Sequence, residues 1–140
     1  MTQFLVPFGF ALAAVGCASP SNGPIDFRVS GGLTGQGDGT AIHIEANGTA
    51  TRTSPTDGTV TEQIDPATLA TLQGQIRDAQ FPGLAPEYGC LGCADAYFYT
   101  VTVELDGASY TVAADNSQST GEPAALMAVI DTLKQLAHAH

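Results

Sequence analysis

Ala96-Tyr-Phe-Tyr-Thr-Val-Thr-Val-Glu-Leu-Asp-Gly-Ala-Ser-Tyr-Thr-Val-Ala-Ala-Asp115 decides the fold. The stretch alternates with period two, the mark of a half-buried strand. Tyr97, Tyr99, Val101, Val103 and Leu105 point one way, while Phe98, Thr100, Thr102 and Glu104 point the other. Asp106-Gly107 supplies a two-residue turn, because a type I′ turn needs two residues that tolerate positive φ. That turn sets the register: Leu105 opposite Ala108, Val103 opposite Tyr110, Val101 opposite Val112 and Tyr99 opposite Ala114. On the other face Glu104 meets Ser109 and Thr102 meets Thr111. A slip of one residue would set the apolar positions of one strand against the polar positions of the other. The hairpin is therefore expected at the centre of a sheet.

The chain around it has 140 residues, enough for one domain. Its net charge is −10, and its basic residues are only Arg28, Arg52, Arg77 and Lys134. Nucleic-acid binding leaves a basic footprint, and anionic lipid headgroups attract polybasic segments. Neither is present, so no nucleic-acid partner is expected.

Residues 1–17 form a separate object. The run from Phe4 to Cys17 is apolar and carries no charged side chain. It is short for a bilayer span and resembles the apolar region of a signal peptide. It ends in Ala14-Val15-Gly16-Cys17, similar to a bacterial lipobox, in which the cysteine is lipidated and becomes the mature N-terminus. Ala14 stands where such motifs usually have Leu, and no Lys or Arg lies near the start. An ordinary signal peptide or a buried apolar segment are the alternatives. Lipidation at Cys17 implies a membrane anchor in the cell envelope, since each buried methylene contributes about 0.8 kcal/mol. Ala18 after the cysteine points to the outer rather than the inner membrane, by resemblance to known sorting signals.

Residues 18–24, rich in Ser, Pro and Gly, read as a tether. A single domain follows over 25–140. Residues 25–30 alternate as a first strand with Ile25, Phe27 and Val29 inward. Residues 40–46 read as a second strand with Ile42 and Ile44 inward, and Asn47-Gly48 as a turn. Residues 49–53 then form a polar strand expected at the sheet edge. Residues 60–64 are placed either in an extension of the sheet or in a return to it. Asp65-Pro66 opens a helix as N-cap and first helical position, with Leu69, Leu72 and Ile76 on one face. Phe81-Pro82-Gly83 ends it. Residues 84–89 read as a loop. Glu122-Pro123 starts a second helix with Leu126, Val129, Ile130, Leu133 and Leu136 inward. The expected fold is α+β: a mostly antiparallel sheet of four to five strands with two amphipathic helices packed on one face.

Cys90-Leu-Gly-Cys93 is the sharpest local motif. A redox site would place it at a helix N-terminus after a strand, whereas here it follows a loop and precedes a strand. A zinc site would need two more ligands, and no second such pair exists. The remaining reading is a small structural disulfide in an exported chain. Residues 31–39 hold five glycines in nine residues but lack the Gly-Lys-Ser/Thr sequence of a phosphate loop and the following helix of a dinucleotide-binding turn. Within them Leu33 is the single large apolar residue, and it either folds back onto the core or projects. His43, His138 and His140 are tied to no nucleophile, and Asp57, Asp65, Asp95 and Asp106 stand at turns and caps. No catalytic residue, metal ligand set or cofactor site is expected, and the chain reads as a non-enzyme.

Taken together, Phe27-Arg-Val-Ser-Gly-Gly-Leu-Thr-Gly35, the Asn-Gly hairpin, the Leu-rich helix ending Asp78-Ala-Gln-Phe81, the Asp95-Ala-Tyr-Phe-Tyr99 strand opening and the closing Leu-rich helix resemble the emfourins. These are small bacterial inhibitors of thermolysin-like zinc metallopeptidases. The resemblance covers most of residues 25–137; the lipobox and the Cys90–Cys93 pair depart from it. It implies a protein inhibitor whose partner is a secreted or envelope metallopeptidase. The loop Gly31, Gly32, Leu33, Thr34 and Gly35 is the candidate inhibitory element, since thermolysin-like peptidases accept a large apolar residue beside the scissile bond. The alternative function is an envelope lipoprotein acting as a binding or structural module, without inhibitory activity, through the outward sheet face around Phe98, His43 and Arg52.

Overall fold

The computed structural model describes residues 22–33, 38–90, 93, 95–115 and 121–139. The expected signal peptide with Cys17, the first part of the tether, Thr34, Gly35 and His140 lie outside the described residues. The chain runs β1 (Asn22–Gly31), β2 (Ala41–Ile44), β3 (Thr49–Ser54), β4 (Gly58–Gln63), α1 (Pro66–Ala79), β5 (Glu87–Tyr88), β6 (Tyr97–Leu105), β7 (Ala108–Asp115) and α2 (Ala124–Ala137). The fold is α+β.

Among the described residues one mixed sheet holds seven strands in the order β4-β3-β2-β1-β6-β7-β5. The β6–β7 hairpin has the register its turn dictates, from Leu105 opposite Ala108 to Tyr99 opposite Ala114. It lies beside the centre rather than on it, since β1 is the middle strand and pairs antiparallel with both β2 and β6. The expectation of four to five strands was too small. The polar run Gly58–Gln63 forms β4 and takes the edge, so β3 lies one strand in. At the other edge, inside the expected loop 84–89, Glu87 and Tyr88 pair parallel with Ala113 and Ala114. Backbone bonding holds that edge, with the Ala113 amide donating to the Pro86 carbonyl at 2.9 Å. β1 also starts earlier than expected and takes Asn22, Gly23 and Pro24 from the tether. Its register with β6 shifts between Asn22 and Ile25, around Pro24, which has no amide to give the ladder.

Both helices pack on one face. Ile25, Phe27, Val29, Ile42, Ile44, Ala50, Val101, Val103, Val112 and Ala114 meet Leu72, Ile76, Leu126, Val129, Ile130 and Leu133 in one buried cluster. Asp65 caps α1 by accepting from the Thr68 amide at 3.0 Å. Gln80 closes it in a left-handed conformation at φ 52°, and Phe81 then turns into the core. α1 begins beside the β2–β3 turn, where Ile64 donates to Gly48, and ends beside the β6–β7 turn. α2 runs the opposite way, from the end of β7 toward Arg52 on β3. Thr132 links the helices by donating to Gln75 at 2.8 Å.

Candidate functional site

The candidate loop leaves the sheet at the end of β1, where Gly31 pairs with Tyr97. Gly31 has φ +88° and Gly32 φ +69°, a region that L side chains seldom enter. The Gly32 amide donates to the Ala96 carbonyl at 2.8 Å, so the chain turns while still held to β6. A Cβ on Gly31 would overlap the Ala96 carbonyl oxygen, and one on Gly32 would press on the Tyr97 ring at 3.1 Å. Two glycines are thus required here. The turn they make throws Leu33 clear of the core, where it is 90% exposed; Tyr97, beneath the turn, is 38% exposed. The sequence left two positions open for Leu33, and the structure places it outside.

The chain ahead of β6 meets this turn at Ala96. Cys90 and Cys93 lie at disulfide-bonding distance, with Cα atoms 5.5 Å apart. The pair precedes β6, and among the described residues no helix starts at it. The Cys90 amide donates to Asp115 Oδ2 at 2.6 Å. Asp115 is fully buried at the end of β7, and Gly89, at φ +114°, passes directly against its carboxyl group. Sequence reasoning did not single out Asp115. Its one signal is a carboxylate closing an apolar strand, which turn residues commonly imitate.

Glu122, just before α2, faces Asp115. Burial pushes its carboxyl up from the ordinary glutamate range, and the charge of Asp115 and a hydrogen bond to it push the same way. A group whose pKa is raised by folding contributes stability below its unfolded pKa and loses it as pH rises through the folded value. Glu122→Gln keeps a donor for Asp115 and removes the titration. The variant should match the wild type near pH 4 and exceed it near pH 8 by at most about 1 kcal/mol, the scale of partly exposed charge pairs. Thermal melts across that range check this.

The returning limb of the loop is fixed at Asp38, whose carboxylate accepts from the Thr40 amide at 2.9 Å and lies 3.6 Å from His138. Arg52, expected on the outward face, is on the helix side, because its partner across the ladder is the buried Ile42. It pairs with Glu62 at 3.0 Å and donates to the Ala139 carbonyl, tying the end of α2 to β3. Phe98 and His43 do lie on the helix-free face, and His43 Nδ1 is 2.7 Å from Asp26 Oδ1. The structure therefore separates the residues of the alternative outward-face reading.

Among the described residues no group of three or more His, Cys, Asp or Glu side chains is placed to hold a metal ion. None of the described helices is long and apolar enough to cross a membrane. Comparison with known proteins finds no matching family model, no matching curated protein and no matching solved structure.

Proposed function

We propose that the chain is a non-enzymatic cell-envelope lipoprotein that inhibits a thermolysin-like zinc metallopeptidase through the loop after β1. The observation that carries this is Leu33, 90% exposed beyond a turn built from two positive-φ glycines. A large apolar side chain gains nothing from water, and the backbone here is specialised to project it. The flanking glycines let a partner's backbone come close. The resemblance to the emfourins names the class of partner, whose specificity for large apolar residues suits leucine.

The test is inhibition of a panel of thermolysin-like peptidases by the purified full chain, with serine and cysteine peptidases as controls. Saturable inhibition confined to the metallopeptidases is expected. A folded protein that inhibits none of them, or all classes alike, would overturn the proposal.

Lipidation at Cys17 is part of the same reading. Cys17→Ser should move the protein from the membrane fraction to the soluble envelope fraction, since stable anchoring rests on the acyl chains. Unchanged fractionation of the variant would remove the lipoprotein assignment and leave the inhibitor assignment standing.

A further inference from the structure

The helix-free face of the sheet carries a feature that the proposed inhibition does not use. A depression of about 460 Å³ lies across β1, β2, β3 and β6. Ligand sites for small molecules are commonly about 300–1,000 Å³. Ala41 makes the room: it sits between Arg28 on β1 and Thr53 on β3, and its methyl group leaves the space between them open.

The polar groups around that gap divide into spent and unspent. Asp26 is engaged with His43, Thr51 with Thr61 and Thr53 with Thr59. Arg28, Ser30 and Thr100 have no side-chain partner among the described residues. They are neighbours: Thr100 is opposite Arg28 on β6, and Ser30 is two positions along β1 on the same face. An unpaired Arg in the middle of a sheet is notable in a chain with four basic residues and net charge −10. Arg52 has Glu62, Lys134 lies over the Tyr99 ring, and Arg77 complements the last turn of α1.

We propose that this face binds a small carboxylate-bearing polyol, a uronic acid in class, with its carboxylate on Arg28. A guanidinium takes a carboxylate through two parallel N–H bonds. The hydroxyls of Ser30 and Thr100 each have a proton to donate to the same group. His43 orients the rest. It lines the depression with its Nδ1 held by Asp26, and in the tautomer that donates from Nδ1 its Nε2 is left to accept from a ligand hydroxyl. The Asp26 carboxylate selects the ligand's charge. It lies on the same strand face two residues from Arg28, so it repels a phosphate dianion more strongly than a monoanion. The net negative charge of the chain does not forbid this, because exposed charges are screened beyond about 8–10 Å at physiological ionic strength. The inference is independent of Leu33, which leaves from the end of β1 rather than from this face.

The experiment is an amide-resolved NMR titration of the full chain with D-glucuronate, D-glucose and inorganic phosphate. Saturable shifts clustered on β1, β2 and β6 are expected with glucuronate alone. Arg28→Ala and Arg28→Lys should each weaken binding by about tenfold or more, the second because a point charge does not replace the fork. Ala41→Leu, which fills the gap, should do the same, and Arg77→Ala should bind like the wild type. Unperturbed resonances away from the site show that each variant is folded. No saturable shift with glucuronate, equal shifts with glucose or phosphate, or wild-type binding by Arg28→Ala would each overturn the proposal.

Discussion

Gly89→Ala should destabilise the domain by roughly 3–5 kcal/mol and lower its melting temperature by about 10–20 °C. Two costs combine at this position. The backbone has φ +114°, which an alanine adopts only under strain, and an added Cβ would lie well under 3.0 Å from the carboxyl group of Asp115. That carboxyl group cannot step aside freely, since it is fully buried and accepts from the Cys90 amide. Comparison with two other glycines separates the costs. Gly107 has φ +79° with nothing within 4 Å of an added Cβ, so Gly107→Ala reports the backbone strain alone, about 1 kcal/mol. Gly83 has neither a positive φ nor a close neighbour, so Gly83→Ala should be neutral within about 0.5 kcal/mol. Thermal melts of the three variants check the order. A Gly89 variant as stable as the Gly83 one would mean that Gly89 and Cys90 are free to shift away from Asp115.

Leu33→Ala should weaken inhibition by about tenfold to a hundredfold while leaving the melting temperature nearly unchanged. A large apolar side chain is worth roughly 1.5–3 kcal/mol when fully buried, and tenfold in affinity is about 1.4 kcal/mol. Stability should not move, because a side chain 90% exposed has little packing to lose. The two readouts must be taken together on one preparation. A loss of inhibition with a matching fall in melting temperature would point to a disturbed loop rather than a lost contact. Unchanged inhibition would remove Leu33 from the interface even if the chain is an inhibitor.

What the residues disclose follows from how each element is held. The β6–β7 hairpin was legible because side-chain alternation and the Asp106-Gly107 turn specify the same register. Both helices were legible from the spacing of residues such as Leu72, Ile76, Leu126 and Leu133, all of them buried. β4 was legible only as a choice between an extension of the sheet and a return to it over residues 60–64, and not as a separate strand, because Thr59, Val60 and Thr61 are all exposed and no apolar alternation marks it. Nor was β5, whose pairing with β7 depends on backbone groups that every residue carries. The candidate loop was legible in its composition, while the direction of Leu33 was not. That direction depends on the close approach of Gly31 and Gly32 to Ala96 and Tyr97, more than sixty residues away in the chain. Arg52 was assigned to the wrong face by treating β3 as a solvated edge strand, whereas its register with Ile42 turns it toward α2.

The central position of β1 bears on how the molecule carries tension. Its first residue follows directly from the N-terminal segment, and its last residue leads into the projecting loop. At a rise of about 3.3 Å per residue, its two ends lie about 30 Å apart. Were the chain anchored at Cys17 and held by a peptidase at Leu33, as proposed above, the pull between them would run along this single strand. β2 and β6 flank it on both sides, with hydrogen bonds lying across the direction of pull. The covalent backbone of that strand bears such a load, so none of the bonds on its two flanks has to rupture for the load to be held. The rest of the domain hangs beside the line of tension rather than in it.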